Sequence, residues 1–113
     1  MDSSDIQSAI DDATYDYTMG EAAQAVAKLE KLTQAEPAAF DAWHALAEIH
    51  FSTRNLDAAL AAAERAHALK PDNLFVNTTL SRIWMERGDK PKAEHFGAQA
   101  RMASWKEELR GES

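Results

Sequence analysis

A 34-residue period constrains this chain more than any other feature. Residues 40–73 read FDAWHALAEIHFSTRNLDAALAAAERAHALKPDN, two amphipathic helical patterns with a proline stop. Ala42, Trp43, Leu46, Ala47, Ile49 and His50 recur at three- and four-residue spacings, so one face of a first helix can be buried. Leu56, Ala59, Leu60, Ala63, Ala66 and Leu69 form a second stripe, with Asn55 as its expected N-cap. Pro71 has no amide hydrogen and disfavours helix at Lys70, which ends the second helix. Slid by its own length, the pattern recurs: Phe40 aligns with Leu74, Leu46 with Leu80, Ile49 with Ile83, Ala59 with Ala93 and Ala66 with Ala100. Backwards, Ala59 aligns with Ala25, Ala66 with Leu32 and Pro71 with Pro37. A helical hairpin of this size cannot bury its apolar face alone, so the period implies a stacked array.

Three such units are expected, at about 7–39, 40–73 and 74–107, within a single domain spanning 1–113. In the first unit a strict offset puts Asp12 and Asp16 where Leu46 and His50 stand, and unpaired buried carboxylates are costly. A one-residue shift instead sets Ile10, Ala13, Thr14 and Tyr17 opposite Trp43, Leu46, Ala47 and His50, and predicts a turn one residue shorter around Gly20. The expected helices lie at about 6–18, 21–35, 40–52, 56–69 and 73–86, with a sixth from near Asp89. Ser3, Ser4 or Asp5 is the expected cap of the first and Asp72 of the fifth. Gly20 and Gly88 supply permissive turns; Arg54 holds that place in the middle unit, so its turn is expected to differ. Trp105 stands where Pro37 and Pro71 stood, so the last helix should run on to about 110. Phe96, Met102, Trp105 and Leu109 are the expected apolar surface of that helix. Either Trp105 and Leu109 fold back over the preceding hairpin or two copies cover each other there.

The W-x2-L…A…P skeleton at this period resembles the tetratricopeptide repeat. The resemblance implies an all-α solenoid of three helix–turn–helix hairpins with an extended C-terminal helix. It implies, too, a concave groove lined by the first helix of each pair and holding a peptide or segment of a protein partner. The groove places carried over are Asp11 and Tyr15, then His44, Glu48 and Phe51, then Phe75, Thr78, Arg82 and Met85. On this basis the chain is an interaction module, an adaptor or assembly factor; the alternative is a scaffold that dimerises or polymerises through its C-terminal helix. One variant of the family grips a C-terminal carboxylate with Lys, Asn and Arg. Those places hold Asp11, Tyr15, Ala45, Phe75 and Thr79 here, so that clamp is not expected.

Charge narrows the partner. The formal net charge is −7, and residues 1–50 carry ten carboxylates against Lys28 and Lys31. An acidic half opposes nonspecific nucleic-acid binding, which rests on phosphate neutralisation, and favours encounter with an amphipathic, basic segment. Cysteine is absent, excluding disulfides and thiolate metal sites. His44 and Glu48 share a helix face, but His50 lies about 240° round from His44, so no metal site is expected. No phosphate loop or nucleophile–base pair appears, so neither catalysis nor a cofactor is expected. The start, MDSSDIQSAIDD, lacks a basic segment and an apolar core, and no apolar run approaches the roughly 20 residues of a membrane span; a cytoplasmic location is the expectation.

Overall fold

The computed structural model describes residues 1–111 and resolves them into six helices. These are α1 (Ser3–Thr18), α2 (Ala22–Ala35), α3 (Phe40–Ser52), α4 (Leu56–Leu69), α5 (Leu74–Glu86) and α6 (Lys90–Gly111). The bounds of α3 and α4 are those the period predicts, and α6 runs past the proline position as expected. The last two residues of the expected domain lie outside the described ones.

The helices pair as hairpins α1–α2, α3–α4 and α5–α6, and each hairpin stacks on the next through α2–α3 and α4–α5. In addition the backbones of α1 and α3, and of α3 and α5, come close together, whereas among the described residues those of α2, α4 and α6 stay apart. First helices packed together and second helices splayed apart bend the array, and α1, α3 and α5 line its inner face. Small residues permit the close pairing: Ala13, Ala25, Ala42, Ala47, Ala59 and Ala63 are fully enclosed, and Leu29, Leu46, Leu80 and Ile83 fill the space between them.

Burial follows the shifted register in α1, with Ile10 and Ala13 enclosed and Asp11 and Asp12 exposed. The missing residue is not taken from the turn. All three hairpin turns close the same way: Glu21, Asn55 and Asp89 each donate an amide hydrogen to the carbonyl five residues back, at 2.8–2.9 Å. Gly20, Arg54 and Gly88 bond one turn further in, at 3.0–3.1 Å. This is the Schellman closure, and it needs a left-handed residue at its centre. Gly20 (φ 86°) and Gly88 (φ 83°) supply it, and so does Arg54 (φ 66°). The middle turn therefore does not differ; the arginine bears the strain, and its guanidinium reaches Glu86 at 3.0 Å across an exposed pair. Left-handed backbone costs a non-glycine residue about 1–2 kcal/mol, partly offset by glycine's greater unfolded freedom. Arg54→Gly should thus raise stability by about 0.5–1 kcal/mol, read as a higher Tm with an unchanged helical spectrum.

Several local expectations are corrected. Asp2, outside the expected set, caps α1 by accepting the Asp5 amide at 2.9 Å, which starts the helix earlier than the apolar pattern does. Asn55 makes no side-chain cap bond. Asn73, not Asp72, caps α5, accepting from Val76 at 3.0 Å. Asp89 caps α6 as expected, through the Lys92 amide at 3.1 Å. Leu46 is buried as expected, but Trp43 is only half-buried: its indole N–H donates to the Pro37 carbonyl at 2.9 Å and Arg65 lies 4.8 Å over the ring. A tryptophan with a polar atom to satisfy sits best at the edge of a core.

Candidate functional site

The groove candidates divide into exposed anchors and a built polar floor. Tyr15 on α1 and Phe75 on α5 are 63 % and 64 % exposed, and Met85 is similarly open. Asp11 and Thr78 are also exposed; the Asp11 carboxylate accepts from Gln7 Nε2 at 3.0 Å, and the Thr78 hydroxyl turns back to the Leu74 carbonyl at 2.9 Å. Phe51 departs from its expectation. It is half-buried, with the Arg82 guanidinium 4.5 Å over its ring, because the next first helix lies close enough to lay a long cation across it.

Between these anchors Thr79, almost fully buried on α5, joins two helices. Its hydroxyl lies 2.7 Å from Glu48 Oε1 and 3.1 Å from His44 Nε2, and 2.9 Å from the Phe75 carbonyl. His44 stacks on Phe40 at 5.9 Å and stands 3.5 Å from Glu48; Arg82 Nη1 reaches the other Glu48 oxygen at 3.6 Å. His44 and Glu48 are therefore tied into a network that joins α3 to α5, with the Glu48 side chain still partly open to solvent. Phe51, Ser81, Arg82, Met85 and Glu86 line an open cleft of about 440 Å³ beside it. Thr79 was missed as a functional position by the sequence reading, although a threonine on an otherwise apolar inner stripe is the signal for it.

The His44 hydrogen bond, helped by the Thr79 hydroxyl and the charge of Arg82, holds the Glu48 carboxyl down at about 2 from its ordinary 4.5, against the opposing push of burial. The folded pKa is the lower one. The network's stabilisation is therefore complete above pH 4.5 and is lost as pH falls towards 2. With the Glu48 side chain 38 % exposed, solvent screening discounts it to about 1–2 kcal/mol. Glu48→Gln should flatten the fall in urea midpoint between pH 5 and pH 2.5 relative to the parent chain.

The terminal stripe splits similarly. Met102, Trp105 and Leu109 are exposed, Trp105 at 68 % and Leu109 at 58 %, so neither folds back over the preceding hairpin. Phe96 is not part of that surface: it packs against the core, with His67 and His95 edge-on to its ring at 5.7 and 5.0 Å. Among the described residues no three His, Asp or Glu side chains are grouped to hold a metal ion, and no helix is long and apolar enough to cross a membrane.

Three stacked hairpins with an inner layer of first helices define a helical-repeat solenoid, an architecture that presents extended surface for protein–protein contact. Residues 40–73 match the tetratricopeptide repeat family model, and the hairpins on either side of that repeat have the same helix–turn–helix build. No curated protein is significantly similar in sequence. Among solved structures, MamA superposes with a TM-score of 0.82 at 18 % identity, over 86 % of this chain and 57 % of that one. A chain of the CopN–Scc3 complex does so with 0.83 at 14 % identity, over 91 % and 61 %. This chain thus spans less than two thirds of the length of either.

Proposed function

We propose that the inner face binds a segment of a protein partner, seated on Tyr15, Phe75 and Met85 and read by the charges between them. The carrying observation is the exposure of these three large apolar side chains on α1 and α5, where a free-standing solenoid gains nothing from showing them to water. A similar fold in a chain of the CopN–Scc3 complex, itself an assembly, supports the reading.

The expectation of a basic partner applies to one end of this surface. Acid dominates at α1, where Asp11 is exposed and Asp12 is paired with Lys28 of α2, whereas Arg82 stands half-open at the α5 end. A matching segment carries Lys or Arg near α1, apolar anchors along its length and a neutral or acidic residue near Arg82. Selecting peptides from a random display library on the immobilised protein tests this. Enriched sequences should share that pattern and be released by Tyr15→Ala, Phe75→Ala or Met85→Ala; sequences indifferent to all three changes would place the binding surface elsewhere.

A further inference from the structure

α6 is 22 residues long against 13 for α5, so its last two turns project beyond the hairpin that supports it. On a helix of 3.6 residues per turn, Met102, Trp105 and Leu109 fall within about 60° of one another and roughly opposite the enclosed Ala93, Ala100 and Ala103. Two isolated turns are a marginal helix in water, and among the described residues the apolar stripe of these turns is mostly exposed. Arg101 and Glu108, both exposed, lie seven residues apart on one flank of the stripe; Lys106 and Arg110 lie on the other.

We infer that the projecting end of α6 pairs antiparallel with the same segment of a second copy of this chain, across a two-fold axis near Trp105. Charge selects that arrangement. In an antiparallel pair like flanks meet, so Arg101 faces Glu108 of the partner subunit, and symmetry makes the pair twice. In a parallel pair unlike flanks meet, and Arg101 would face Lys106 of the partner subunit. The stripe meets the stripe in both copies, covering Met102, Trp105 and Leu109 and completing the support the last turns lack. Three side chains and their flanks cover less than the roughly 800 Å² per partner of a tight interface, and Lys106 approaches its own symmetry mate. The dimer is therefore a weak one, dissociating in the micromolar range. The surface is separate from the inner face, so this pairing stands or falls independently of peptide binding.

The test is sedimentation equilibrium from about 1 μM to about 1 mM, bracketing micromolar dissociation constants. The parent chain should pass from monomer to dimer and stop there. Trp105→Glu should weaken the dimer at least tenfold while keeping the helical spectrum and Tm of the monomer, because most of the parent ring is exposed in the single chain. Arg101→Glu and Glu108→Arg should each weaken it about three- to tenfold, and the two together should return it to within about twofold of the parent. A monomer throughout the range, growth beyond the dimer, a dimer untouched by Trp105→Glu, or a double reversal no better than the single ones would each overturn the pairing.

Discussion

Leu29→Ala should cost about 3–4 kcal/mol and come close to unfolding the chain, more than Trp43→Ala, which should cost about 2 kcal/mol. The order inverts what side-chain size suggests. Leu29 is fully enclosed at the centre of the core, where removing three carbons leaves a cavity that neighbouring alanines are too short to fill. Trp43 is larger but half in water, and its loss mainly surrenders edge packing, one hydrogen bond of about 1 kcal/mol and the contact with Arg65. Domains of this size have about 5–15 kcal/mol in hand, so the leucine change alone consumes much of the reserve. Urea unfolding of the two variants, followed by circular dichroism, checks the order. Equal midpoints would mean that the indole, not the leucine, holds the hairpins together.

The period made the fold legible because alternation of large and small residues is a backbone-scale property. Ala59, Ala63 and Ala66 can recur every three or four residues only on a helix, and only a second hairpin can close over them. What escaped is what a local pattern does not encode. Arg54 looked like an exception to a glycine turn; the three-residue spacing between helices forces the same closure whatever residue is there, so the geometry persists and the residue is strained. Asp16 looked too costly to cover, yet its largely covered carboxylate is met by Lys28 of the neighbouring helix, a pairing invisible in either helix alone.

The site was less legible for the same reason. Position on the helix grouped Glu48, Phe51 and Arg82, and Arg82 does lie beside both of the others. Which of them is open to a ligand depends on contacts between helices 30 or so residues apart: Thr79 to Glu48, Arg82 to Phe51. Periodicity reports the face a residue occupies but not what the adjacent helix lays across it. Phe96 shows the limit on α6. Grouped by hydrophobicity with Met102, Trp105 and Leu109, it lies on the opposite side of the helix and belongs to the core.

Phe75→Ala should therefore weaken partner binding by about 10- to 100-fold, whereas Phe51→Ala should weaken it less and cost stability as well. An exposed aromatic anchor that becomes buried on binding is worth about 1.5–3 kcal/mol. Phe75 can offer all of this, because most of its ring is bare in the free protein. Phe51 already spends one face on Arg82. Removing it frees the guanidinium from its seat beside Glu48, so the loss falls partly on the network that joins α3 to α5. Asp11→Lys should act differently again, slowing association and reducing its salt dependence while leaving dissociation nearly unchanged, as expected of an exposed charge at the rim. Association and dissociation rates for the three variants, measured on one selected peptide at low and high salt, separate these effects. If Phe75→Ala binds like the parent while Phe51→Ala does not, the anchor lies in the cleft beside Arg82 rather than on the open face of α5.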